Sequence, residues 1–408
     1  MTLATTPHLD VLRQAFEEEY GSSEGTSLVI APGRVNLMGD HIDYNGLSVL
    51  PMALQRHVAL LYRERADSNV SITSTDPRFT PRKFELLAEI EPYEDGDWGN
   101  YIKAACQGIV NRYDAKLGFD AVAHSDIPIA AGLSSSSALV VASALAVLHA
   151  SDIWTEKMKL AELLAEAERY VGTQGGGMDQ AICLAARRHS ASRIDFNPLR
   201  LTAHPIPPEW HFIVAFSLVR AEKSGVAREA YNSRTHECRT ALDRMVDELG
   251  ISGEVGTYPV LMDTVRPNEL LARAGDILED TPMRRFVHVV SEGERVRRAE
   301  KALLDYDLKA FGNLMNESHE SLSESFDVST PELDELVEIA LRAGAAGARL
   351  TGAGLGGCVV ALAPEKKSER ILDALADRYY EKREFDGELG GQLFVAEPSG
   401  GASVTPLR

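Results

Sequence analysis

"GARLTGAGLGGCVVALA", residues 347–363, sets four Gly in the six positions 352–357 between two apolar runs. The runs read as strands, and the loop between them is either an anion nest or a tight hairpin. No helix clearly follows it, so it is not the glycine turn of a dinucleotide-binding βαβ unit. No Gly-Lys-Ser/Thr appears, so it is not a Walker A loop.

The rest of the chain agrees with that exclusion. "SLVIAPGRV" reads as a strand running into a turn, and "LSVLPMAL" and "VALLYRE" as strands, with Pro51 at an edge or bulge position. "WGNYIKAACQGIVNRY" has helical spacing, "GFDAVAHSDIP" reads as a strand, and "KLAELLAEAERYVG" as a helix stopped by Gly172. "HFIVAFSLV" is a strand, residues 260–345 are largely helical, and "QLFVAEP" is a last strand before a frayed tail, "SGGASVTPLR". Strands and helices mix without a βαβ rhythm, which predicts an α+β fold. At 408 residues the chain is long for one core, so two domains are expected: 1–205 and 206–408, joined near the Pro-rich "NPLRLTAHPIPPEW".

Composition narrows the function classes. Hydrophobic residues are 44% and charged residues 25%, as in soluble globular proteins. A net charge of −19 argues against nucleic acid and against a basic membrane patch. Cys106, Cys183, Cys238 and Cys358 are scattered with no CxxC pair, which fits a reducing cytosol and a cytoplasmic location. The N-terminus lacks a basic stretch and an apolar core, so no signal peptide is expected. The longest apolar run, "ALVVASALAVLHA", is short for a membrane span.

Three further segments concentrate chemistry. In "PIAAGLSSSSALVV", residues 128–141, a Ser run sits where a turn becomes a helix. Free N–H groups and the helix dipole make an anion site there, and Gly132 lets a ligand approach the backbone. One Ser would indicate only a capped core helix; four in a row favour phosphate binding. In "YVGTQGGGMDQAICL", residues 170–184, Asp179 is either a favourable helix-start charge or a catalytic carboxylate. "PGRVNLMGDHIDYNG", residues 32–46, gathers Arg34, Asp40, His41 and Asp43. His41 alone reads as structural, but two acceptor-only carboxylates beside it suit several hydroxyls.

Together, and in their order along the chain, the four segments resemble the GHMP kinase family and, within it, the galactokinases. "PGRVNLMGDHIDYNG" resembles the galactokinase signature, "GLSSSSALV" the phosphate-binding motif, "GGGMDQ" the segment of the catalytic Asp, and "LTGAGLGGC" the third motif. "AYNSRTHEC" resembles a galactokinase stretch whose Tyr contacts the sugar, here Tyr231; other details resemble the N-acetylgalactosamine kinases. Three departures stand out. Asp40 replaces the usual Glu, Ala130 replaces a Gly before the Ser run, and Glu168 lies one residue nearer Gly172 than in most galactokinases.

The resemblance implies an N-terminal domain like ribosomal S5 domain 2 and a C-terminal ferredoxin-like domain. It implies a small-molecule sugar and ATP as substrates, Mg2+ as cofactor, and a monomer or weak homo-oligomer. Arg34 and Asp179 would be catalytic. Asp40, His41, Asp43, Gly176 and Tyr231 would hold the sugar. Gly132, Ser134, Ser135 and Ser136 would hold ATP, with Ser136 on the metal. The implied reaction is phosphorylation of a sugar at C1, galactose first and N-acetylgalactosamine or a uronic acid as alternatives. A non-catalytic sugar sensor is the remaining class, against which Arg34, Asp179 and the Ser137-Ala138 pair argue.

Overall fold

The computed structural model describes residues 8–407 apart from 173, 222–224 and 252–255. Twelve strands and thirteen α-helices are named among the described residues. The strands are β1 Ser27–Met38, β2 Leu50–Glu64, β3 Asn69–Ser74, β4 Arg82–Glu85, β5 Phe119–Ser125, β6 Ser190–Asp195, β7 Arg200–Pro205, β8 Trp210–Phe216, β9 Gly347–Thr351, β10 Cys358–Pro364, β11 Leu393–Ala396 and β12 Ser403–Pro406. The helices are α1 Leu9–Tyr20, α2 Gly99–Tyr113, α3 Ser135–Ala150, α4 Lys157–Ala167, α5 Met178–Ala185, α6 Gly225–Glu248, α7 Tyr258–Thr264, α8 Pro267–Ile277, α9 Asp280–Leu304, α10 Leu308–Glu320, α11 Pro331–Ala343, α12 Glu365–Arg378 and α13 Leu389–Gln392.

Two main sheets organise the molecule. The first runs β12-β1-β2-β5-β3-β4, antiparallel except for the β3–β5 pair; the second runs β11-β8-β10-β9, all antiparallel. This is the α+β class that the sequence predicts.

Alternation along β2 explains how the first sheet is covered. Leu60 and Tyr62 face the main core, while Ala59 and Leu61 face a smaller cluster closed by Leu12 and Phe16, one turn apart on α1. The run "ALVVASALAVLHA" lies on α3, which is apolar nearly all round because β1, β2, α2 and α5 all pack on it.

One reading needs correction. The tail is not frayed: β12 pairs with β1 from Ser27↔Pro406 to Ile30↔Ser403 and forms the edge of the first sheet. The Pro-rich stretch expected to join two domains holds β7, which pairs with β6 as an antiparallel hairpin. Pro51 sits in the half of β2 that β5 does not reach, opposite Asn36 and beside a register shift, so its missing N–H interrupts no β5 pairing.

Candidate active site

Strand β1 and two loops meet at the site because glycines let their backbones touch. A Cβ on Gly33 would lie 2.7 Å from the Leu133 carbonyl, and one on Gly352 would lie 2.6 Å from the Gly132 carbonyl. The β1 strand, the entry to α3 and the β9–β10 loop therefore interlock. That loop is a hairpin, and half of its six N–H groups already have protein acceptors: Gly352 on Asp40 Oδ1, Leu355 on the Val328 carbonyl and Gly357 on the Val219 carbonyl. The nest alternative for residues 352–357 thus loses ground to the hairpin.

The entry to α3 is strained. Ala130, Gly132 and Ser134 have φ of +54°, +72° and +60°. This corkscrew turns the loop so that Gly132, Ser134, Ser135 and Ser136 line one cavity of about 430 Å³. Ser134 Oγ is buried with no hydrogen-bond partner among the described residues, at the positive end of a sixteen-residue helix. An unsatisfied hydroxyl there suits an incoming phosphate oxygen. Phe79, Trp98, Tyr101 and Leu139 line the rest of that cavity. The sequence reading missed these aromatics, although Trp98 and Tyr101 flank the start of a visible helix.

A second, tighter cleft, which shares Asp43 and Gly175 to Gly177 with an adjoining groove of about 800 Å³, collects the other predicted residues: Arg34, Asp40, His41, Asp43, Gly176, Asp179 and Tyr231, with Glu168 beside them. Arg34 joins the two cavities. Its Nε donates to Asp179 Oδ1 at 2.7 Å and its Nη1 to the Gly132 carbonyl at 2.5 Å. Arg34 is 5% exposed, so this fork is held away from bulk water. Asp179 sits in the first turn of α5, where the helix dipole favours a negative charge.

Each sugar-side candidate has a definite setting. Asp40 is buried; Arg349 Nη2 donates to its Oδ2 at 2.5 Å and the Gly352 N–H to its Oδ1 at 3.1 Å. Burial pushes its pKa up, and the Arg349 charge opposes this. His41 Nε2 lies 3.0 Å from the Ala353 carbonyl, so it carries the proton, and Nδ1 accepts from the Tyr44 hydroxyl at 3.0 Å. Burial, reinforced by His288, lowers the His41 pKa to about 3, so the ring is neutral. Its ring packs on Phe326 and Tyr231, with centroids 4.6 and 5.7 Å away.

Asp43 Oδ2 accepts from the Gly176 N–H at 3.2 Å. Burial first, and the nearby Asp179 charge second, raise its pKa to about 6. A Cβ on Gly176 would come within 2.3 Å of the Asp43 carbonyl carbon and the Tyr44 nitrogen, so no larger residue fits. Burial also holds the Tyr231 phenol well above its ordinary pKa, so it stays protonated and can donate.

Among the described residues no group of three His, Cys, Asp or Glu is arranged to hold a metal. Mg2+ on a nucleotide needs only one or two protein oxygens besides phosphates. Ser136, lining the cavity next to the unsatisfied Ser134, fits that smaller demand.

Comparison with known proteins places this geometry. Residues 14–64 match the galactokinase galactose-binding signature, 100–187 the GHMP kinases N terminal domain and 299–381 the GHMP kinases C terminal region. The chain is 36% identical to a galactokinase of Roseiflexus sp. (strain RS-1), covering 91% of each chain. It is 36% identical to a Bos taurus galactokinase, over 90% of this chain and 91% of that one. The solved structure of Lactococcus lactis galactokinase complexed with galactose superposes with a TM-score of 0.86 at 28% identity, covering 97% of this chain and 99% of that one.

Proposed function

The chain belongs to the galactokinase family of the GHMP kinases, and on that premise we propose how its two cavities divide the phosphorylation of galactose at C1 by ATP. The observation that carries the reading is the Arg34 fork, bonded at once to Asp179 and to the phosphate loop at Gly132.

The larger cavity takes the nucleotide. Its aromatics give the base a flat apolar seat, and Gly132, Ser134, Ser135 and Ser136 receive the phosphates at the α3 N-terminus. Ser136 would hold Mg2+ together with phosphate oxygens, and the bound ion supplies neutralisation of the transferring group.

The tight cleft takes galactose. Asp43 and Asp40 accept hydrogen bonds from sugar hydroxyls, Tyr231 donates, and the neutral His41 packs as a wall. Asp179 accepts the proton of the C1 hydroxyl, or holds that hydroxyl in line. Arg34 orients Asp179 and, lining both cavities, balances charge as the phosphoryl group crosses.

The test is Asp179→Asn, which keeps shape and removes basicity. We expect kcat to fall about a hundredfold or more while ATP affinity stays near wild type. A near-wild-type kcat would remove Asp179 from the chemistry. Running the same assay with N-acetylgalactosamine beside galactose separates the two substrate readings.

A further inference from the structure

Behind the sugar cleft lies a buried ionic cluster of which the phosphoryl-transfer scheme uses only Asp40. Asp40 follows β1, Arg349 sits on β9, and Glu292 and Arg295 lie one turn apart on α9. Arg349 Nη2 donates to Asp40 Oδ2 at 2.5 Å and lies 3.9 Å from Glu292 Oε1. Arg295 Nε donates to Glu292 Oε2 at 2.6 Å. Ser318 Oγ and the Gly39 N–H donate to Glu292 Oε1 at 2.7 and 2.9 Å. The side chains of Arg349 and Glu292 are 0% exposed and that of Asp40 is 2%.

Stability is a poor reason for such a cluster. Two carboxylates and two guanidiniums balance in charge, yet desolvating them offsets most of their attraction. Arg349 Nε and Nη1 also lack hydrogen-bond partners among the described residues. The arrangement is directional instead. Glu292 is itself held in place by Arg295, Ser318 and Gly39, and its charge holds the Arg349 cation where it meets Asp40. Burial would push Glu292 up, but Arg295 and Arg349 keep it ionised, with a pKa of about 2. Asp40 is then gripped at both oxygens from behind, by Arg349 and by the Gly352 N–H, and it is the member that lines the cleft.

We propose that Arg349, backed by Glu292, is a positioning residue for sugar recognition, fixing the rotamer and the negative charge of Asp40 so that it accepts a hydrogen bond from one galactose hydroxyl. The inference rests on the reading that Asp40 faces the sugar. It also gives the Asp a reason where the family resemblance implies Glu: the shorter side chain lets the carboxylate sit back against Arg349 and Gly352. The charged and polar groups facing Asp40 are Arg349 on β9, Glu292 on α9, and Arg34 and Asn36 on β1; His288 on α9 bonds to its carbonyl oxygen. Arg349 is the strongest of these in favouring the ionised form. Removing it makes Asp40 protonate at higher pH, and a protonated Asp40 is a poorer acceptor.

The test uses the full chain and reads kcat, KM for galactose and KM for ATP against pH. Arg349→Met is expected to raise the galactose KM about tenfold or more, equivalent to one lost charge-assisted hydrogen bond. Saturated kcat and the ATP KM stay near wild type, and the acid limb of kcat/KM for galactose moves to higher pH. Arg349→Lys recovers part of the loss. An unchanged galactose KM and acid limb in Arg349→Met overturns the proposal. So does a parallel fall in kcat and in affinity for both substrates, which marks a merely structural role. If Arg349→Met does not fold, Glu292→Gln carries the test: the galactose KM must rise with the ATP KM fixed, and a wild-type value overturns the proposal. Asp40→Asn separates the two levels. A wild-type galactose KM there removes Asp40 from the sugar and the proposal with it. A raised KM in Asp40→Asn beside a wild-type KM in Arg349→Met keeps the sugar reading and removes Arg349.

Discussion

Ala130 holds a φ of +54°, a left-handed conformation that a side chain disfavours by about 1–2 kcal/mol. Gly there would relieve the strain but lose about 0.5–1 kcal/mol to its freer unfolded chain. Ala130→Gly is therefore expected to raise stability by roughly 0.5 kcal/mol, read as a small upward shift of the urea midpoint. A lowered midpoint would show that the loop is not strained. Asp43 makes a second prediction. Its pKa rises from 3.8 to about 6 in the folded chain, through burial and then Asp179. The folded state thus binds the proton more tightly than the unfolded state. This contribution to stability is fully present below about pH 4 and is lost as pH rises through about 6. Asp43→Asn should unfold at higher urea than wild type at pH 7.5, with the gap closing toward pH 4; a gap independent of pH would contradict the shift. Its galactose KM should rise, since Asn presents one acceptor atom instead of two. At this scale the site was legible because hydroxyl-binding and phosphate-binding residues are unusual in type: Arg34, Asp40, Asp43, Asp179 and the Ser run stand out from any apolar pattern. Arg349, Glu292 and Arg295 did not stand out. A charge on a helix or strand ordinarily reads as a solvated face, and only the tertiary packing buries these.

The β9–β10 hairpin acts as a wedge between two loops that lie more than two hundred residues earlier. Gly352 has a φ of +85° and no room for a Cβ beside the Gly132 carbonyl. Gly352→Ala should push the phosphate loop away from Arg34 and raise the ATP KM about tenfold or more, on the order of the loss of one charged hydrogen bond. An unchanged ATP KM, measured at saturating galactose, would show that the loops do not depend on each other. Long periodic elements were the readable ones. α2, α3, α4, β5 and β8 all lie where the sequence predicts. The short strands β3, β4, β6, β7 and β12 were not read, because four to six residues carry little periodicity. "LSVLPMAL" and "VALLYRE" turned out to be one strand, β2, joined through Gln55–His57.

At the scale of the whole molecule, one continuous core spans both main sheets, and the β12 edge is the exception to a simple order of parts. Removing residues 403–408 would expose the backbone edge of β1 from Ser27 to Ile30. We expect a lower melting temperature and more aggregation on heating, with kcat and both KM values at 25 °C unchanged, because neither cavity includes β12. A melting temperature equal to wild type would mean that the edge needs no cover. The same strand gives the chain a history in the cell. A ribosome adds about 5–20 residues each second, and roughly 280 residues separate β5 from β12. For some 15 to 60 s of synthesis, by that rate, the nascent first sheet has every other strand but an open flank. A strand edge left open for that long is a template for pairing with another chain, and a slow codon run before residue 403 would prolong its exposure.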